Sequence, residues 1–157
     1  MQSLSELLPR WTAEAAEPLP PPPAASVRQA FAKLGSIATR DVLSLYGALG
    51  GMRMMDNEYW RLWSLNEIEG QTPSEFGVLF SDYCISCWVY RLKPVNLEHS
   101  AVYVDYFDGC APKLVAATLK EFFERYTTSA RALLDEGSIR AEDAAQPVAA
   151  ADGFAAR

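Results

Sequence analysis

Cys84-Ile85-Ser86-Cys87 is the spacing in this chain that most readily suggests chemistry, because two thiols three residues apart can share a zinc ion or cycle between dithiol and disulfide. The redox use needs the first thiol near a helix N-terminus, where the dipole stabilises the thiolate. Cys84 to Leu92 reads instead as a strand, on which residues three apart point to opposite faces. Zinc would need two more ligands, and the chain offers only Cys110 and its one histidine, His99. The cysteines are therefore expected to be buried structural residues, with no metal. Their odd number, three, argues against a disulfide framework and agrees with a reducing compartment.

A single histidine also restricts nucleophilic catalysis, which pairs a Ser or Cys with a base. His99 falls in Asn96 to Ser100, a polar turn between two strand-like runs, where an exposed role is the simpler reading. Asp105 and Asp108 flank one strand end and could act as paired carboxylates, but Asp108-Gly109 is also an ordinary turn pair. Gly50-Gly51 belongs to no phosphate-binding signature, and neither GxGxxG nor GxxxxGK[ST] occurs. No catalytic residue, cofactor or metal site is expected.

Charge points to partners rather than reactions. Fourteen basic against twenty acidic residues give a net charge of -6, which would repel a nucleic-acid backbone. Residues 41–110 hold ten of the acids, among them Asp56, Glu58, Glu67, Glu69 and Asp82, against Arg53, Arg61, Arg91 and Lys93, so this segment alone holds the whole excess. A solvated acidic surface is the plain explanation; a basic protein partner is the sharper one. Met1 to Leu8 lack a basic region followed by an apolar run, and no stretch approaches the roughly 18 apolar residues of a membrane span. A cytoplasmic location without membrane contact is expected; the oligomeric state stays open.

The elements that would position these residues begin after Pro18-Leu-Pro-Pro-Pro-Pro23, a run that fixes φ and removes backbone donors. Residues 1–25 are accordingly expected to be a disordered Pro-rich leader, residues 26–136 the domain, and residues 137–157 a disordered Ala-rich tail. Ser26 can cap a helix through Val27, Ala30, Phe31 and Leu34, stopped by Gly35. Thr39 can cap a second, with Val42, Leu43, Leu45, Tyr46 and Leu49 buried and Gly50-Gly51 ending it. Strand-like runs follow at 53–55, 60–64, 77–80, 84–92 and 100–107. Ser64 with Glu67 forms a capping box that opens about one helical turn between two of them. From Leu114 or Val115 through Leu119, Phe122, Phe123, Tyr126, Ala130, Leu133 and Leu134, apolar residues recur at three and four, predicting a long closing helix ended by Gly137. The sum is an α+β domain: an antiparallel sheet with N-terminal helices and a long C-terminal helix packed on it. Alternation sends Trp60 to one face and Trp63 to the other, leaving one tryptophan near the surface.

This order of features resembles the SUKH superfamily, which includes bacterial immunity proteins and the Smi/Knr cell-wall regulators. Leu43-Ser-Leu-Tyr-Gly-Ala-Leu-Gly-Gly51 is similar to the close of its second helix, and Arg61-Leu-Trp-Ser-Leu-Asn-Glu-Ile68 to its strand and short helix. Gly77-Val-Leu-Phe80 resembles its next core strand, and Val115 to Tyr126 its closing helix. The likeness spans about Ser26 to Leu134; the Pro-rich leader, the Ala-rich tail and Gly50, where many members carry Asn, depart from it. The resemblance implies no catalysis. It implies an immunity protein that binds and neutralises a cognate toxin, often a nuclease, or alternatively a regulatory scaffold or ligand-sensing domain. An acidic inhibitor would gain steering and complementarity against a basic toxin. Asp56, Glu58, Trp60, Glu67, Glu69 and Asp82 are the expected partner-binding surface.

Overall fold

The apolar stripe of the closing helix determines where the core lies. Phe122, Phe123 and Tyr126 are fully buried and meet Trp60, Phe80 and Tyr90 at ring-centroid distances of 5.2 to 6.3 Å, mostly tilted or edge-to-face. The computed structural model describes residues 2–134, with the elements α1 (Gln2–Ala13), α2 (Ala24–Lys33), α3 (Arg40–Ala48), β1 (Trp60–Leu62), α4 (Leu65–Glu69), β2 (Val78–Tyr83), β3 (Trp88–Pro94), β4 (Ser100–Asp105), β5 (Lys113–Ala116) and α5 (Leu119–Leu134). The strands form one antiparallel meander in the order β1-β2-β3-β4-β5. The chain is thus α+β, with α5 packed on the sheet and the earlier helices around it.

Alternation sorts the sheet into two faces. Trp60, Leu62, Phe80, Tyr90, Leu92, Val102 and Val104 are buried under the helices. The register Arg61↔Asp82↔Val89↔Asp105 puts these four residues in one row on the opposite face.

The leader is not disordered. Leu4, Leu7 and Trp11 of α1, spaced as one helical face, are buried, and Trp11 stacks on Trp60 at 5.4 Å and contacts Phe123 and Tyr126. The Pro-rich run is ordered as well, because its free carbonyls and its one interior amide are used. Leu19 donates to Gly51 O (2.8 Å), Gly50 donates to Leu19 O (2.8 Å), and Pro18 bridges Met52. A Cβ on Gly50 would lie 2.1 Å from Pro20 O, so the glycine is what lets the run approach.

Other boundaries shift for local reasons. α2 begins at Ala24, with Pro23 rather than Ser26 at its cap. Residues 53–55 form no strand, although Arg53 and Met54 donate to Glu17 O and Ala16 O. Leu114 and Val115 belong to β5, and the helix starts beyond Thr118, whose hydroxyl accepts from the Glu121 amide (3.1 Å) while Glu121 accepts from the Ala117 amide (2.7 Å). The expected tail and the stop at Gly137 lie outside the described residues.

Candidate functional site

The expected binding surface does not come together. Trp60 is completely buried, and Asp56 and Asp82 are almost so, because each carboxylate is consumed by neighbouring donors. Asp56 Oδ1 accepts the amides of Glu58 (2.9 Å) and Trp60 (3.0 Å), and Oδ2 accepts Trp11 Nε1 (2.9 Å), Arg10 Nη2 (3.4 Å) and the Tyr126 hydroxyl. Burial, together with the Asp56 charge, pushes the Tyr126 hydroxyl well above the ordinary phenol range, so it stays a donor. This group staples α1 to α5.

Asp82 is engaged on the outer face. Oδ1 accepts Trp63 Nε1 (2.8 Å) and lies 3.3 Å from Arg61 Nε, while Oδ2 accepts the amide (3.0 Å) and hydroxyl (3.3 Å) of Ser86. Arg61 also pairs with Glu67 at 2.7 Å, and Glu67 completes the capping box with Ser64. Burial opposes ionisation of Glu67, but the Ser64 amide and Arg61 together hold its carboxyl below the usual range. Of the expected set, Glu58 and Glu67 are half-buried and Glu69 is exposed, with Glu67 held by Arg61 and Glu69 3.6 Å from Lys33. Among the acids considered for catalysis, Asp105 is bound to Arg91 (2.8 Å), whereas Asp108 shapes a turn by accepting the Cys110 amide (3.0 Å), which lowers its pKa. His99 is half exposed, 3.8 Å from Asp41.

What the structure does gather is an apolar group at one end of the sheet. Tyr59 precedes β1, Ile85 tops the β2–β3 turn and Phe107 follows β4, and the register Trp60↔Tyr83, Tyr83↔Trp88 and Val89↔Asp105 places all three at the same end. The Cys84 amide donates to Tyr59 O (2.8 Å), tying two of the loops together. Their exposures are 60%, 83% and 59%, unlike the side chains beneath them. All three also adopt left-handed backbone, with φ of 62°, 54° and 53°. Each such non-glycine residue costs about 1–2 kcal/mol, and a β-branched isoleucine is the least suited to it. The turn holds Cys84, Ile85 and Ser86 in succession in this conformation, at φ 49°, 54° and 61°. Glu58 and the exposed Asp108 border the group with negative charge.

The Cys84–Cys87 segment is thus a turn and not a strand, and Cys87 and Cys110 are exposed thiols rather than core residues, with Cys84 half-buried. Alternation along 84–92 hid this, since the aromatic and β-branched residues that follow extend the pattern of β3 back through the turn. The signal that does mark the turn is Asp82, a residue whose side chain commonly binds amides a few positions on. Among the described residues, no group of His, Cys, Asp or Glu is arranged to hold a metal ion, and no helix is long and apolar enough to cross a membrane. Comparison with known proteins finds no matching family model, curated protein or solved structure.

Proposed function

We propose that this chain is a non-enzymatic protein-binding domain of the cytoplasm, an immunity protein that captures and neutralises a basic toxin such as a nuclease through the sheet end bearing Tyr59, Ile85 and Phe107. The observation that supports it is the display of three large apolar side chains on strained left-handed backbone, where folding alone would favour glycine, asparagine or a polar residue. Aromatic and aliphatic anchors ringed by charge are the composition of an interface core and rim. Glu58 and Asp108 at the border, on a chain of net charge -6, select a cationic counterpart and speed the encounter. The acids recruited inward, Asp56 and Asp82, hold the loops that present the group.

The test is co-expression with the product of the neighbouring gene, followed by purification and binding kinetics. A stable complex and protection from toxicity are expected. Ile85→Ala and Phe107→Ala should each raise the off-rate by about tenfold or more without lowering the melting temperature. Absence of a complex, or a complex indifferent to both substitutions, would refute this assignment.

A further inference from the structure

We propose that Cys84 and Cys87 are a reversible thiol-oxidation site, whose disulfide locks the β2–β3 turn and fixes the shape in which Ile85 is presented. The chemistry stands on the turn's geometry; only its use in recognition rests on the protein-binding reading above.

The turn is already closed without a covalent link. The Cys87 amide donates to Tyr83 O (3.0 Å) and to Cys84 O (3.3 Å), and Cys87 Sγ folds back to 2.9 Å from Cys84 O. Residues that close a four-residue turn lie within about 7 Å of each other at Cα. Disulfides commonly span about 4.4 to 6.8 Å. The two cysteines are therefore within bridging range on a backbone held from four directions: Tyr59 O on the Cys84 amide, Asp82 on Ser86, Tyr83 O on Cys87, and the stacked Tyr83 and Trp88 rings (4.4 Å) at the base. Such pre-positioning raises the effective concentration of one thiol at the other. The Cys87 thiol is pushed above its usual pKa, first by its hydrogen bond with Cys84, so Cys87 rests protonated against its turn partner. Cys87 is exposed and Cys84 only half so, which makes Cys87 the sulfur that meets an oxidant.

With a small-molecule disulfide as oxidant, the Cys87 thiolate attacks one of its sulfurs, that S–S bond breaks and one small thiolate leaves. The Cys84 thiolate then attacks the Cys87 sulfur of the mixed disulfide, forming the Cys84–Cys87 bond and expelling the second small thiolate. Two electrons pass from the protein dithiol to the oxidant, and the two protons end on the two released thiols. Three successive left-handed residues are a natural place for such a tie, because nothing local to their sequence favours that conformation.

The full chain is incubated with oxidised glutathione, its remaining thiols are blocked with N-ethylmaleimide, and the products are mapped by peptide mass. The peptide holding Cys84 and Cys87 should lose two hydrogens and take up no label, in the parent and in Cys110→Ser alike, and dithiothreitol should reverse the change. Cys84→Ser should stop at a glutathione adduct on Cys87. Amide exchange across 83–88 should slow by about tenfold in the oxidised chain. A parent chain that stops at the adduct, links through Cys110, or forms the bond with unchanged exchange overturns the proposal. These readings need no partner, so a chain that oxidises as expected yet binds no neighbouring gene product refutes the protein-binding reading and leaves this one standing.

Discussion

Asp56 and Asp82 are nearly buried carboxylates that gather the same kinds of donor: an indole N–H, an arginine, and amides of the residues that follow. What differs is where the donors come from. Asp56 takes Arg10 and Trp11 from α1 and Tyr126 from α5, so one side chain closes the two ends of the described chain over the sheet. Asp82 takes Arg61 from the neighbouring strand, Trp63 from just beyond it and Ser86 from its own hairpin, so it shapes a loop. The same chemistry holds the topology in one place and aims an exposed turn in the other. Stability should therefore reside in the first and function in the second.

The largest effect that would break this contrast comes from removing residues 1–16. Leu4, Leu7, Trp11 and Ala16 leave the core together, and burial of each large apolar side chain contributes about 1.5–3 kcal/mol against a usual total of about 5–15 kcal/mol. The truncated chain should lose its cooperative melt and bind a hydrophobic dye; an unchanged melt would return α1 to the status of a leader. Asp56→Ala comes next. It leaves the buried Trp11 indole, the Tyr126 hydroxyl and the Glu58 and Trp60 amides without their acceptor, while Arg10 keeps Glu14, and should cost about 3–5 kcal/mol by urea unfolding. A loss below about 1 kcal/mol would place the staple elsewhere.

Asp82→Ala should cost less, about 1–3 kcal/mol, because Arg61 retains Glu67 and the donors that lose a partner are the Trp63 indole and the amide and hydroxyl of the exposed Ser86. Its signature is local: amide exchange at Ser86 and Cys87 should rise far more than the melting temperature falls. Were the whole sheet to open instead, the two aspartates would share one role.

Part of this contrast is legible in sequence and part is not. The stripe of α5, the capping box at Ser64 and four of the five strands follow from local periodicity and cap chemistry, which need no knowledge of partners. Leu4, Leu7, Leu8 and Trp11 have the spacing of a buried helix face too, but the proline run at 18–23 that follows them favours a linker. That run is held by Gly50 and Gly51, a contact about thirty residues away that no local pattern encodes. Acids and a tryptophan in one segment suit an interface, yet Asp56 and Asp82 are buried by Trp11, Tyr126 and Trp63 arriving as donors, and Trp60 by the rings of Trp11 and Tyr126. The left-handed turn was missed for a related reason, since it is imposed by Asp82 and Tyr59 rather than by glycine or asparagine within it.

The smallest expected effect tests how far the Asp82 group extends. Arg61 bridges Asp82 and Glu67, and Glu67 in turn accepts the Ser64 amide, so the capping box of α4 and the outer-face carboxylate share one guanidinium. Glu67→Gln keeps the cap geometry, since glutamine serves at that position, but removes the charge facing Arg61. The Glu67 side chain is 37% exposed, so solvent screening should hold the loss to less than about 1 kcal/mol at neutral pH. Its pH dependence has a definite sign. Glu67 titrates lower in the folded chain than in the unfolded one, so its contribution is complete above the unfolded value of about 4.3 and declines as pH falls through the folded pKa below that. In urea melts the gap between parent and variant should be constant from neutral pH down to about 5 and then close with further acidification. A gap that persists at the acid end would assign the loss to amide geometry in the cap, and would separate Glu67 from the charge network that aims the turn.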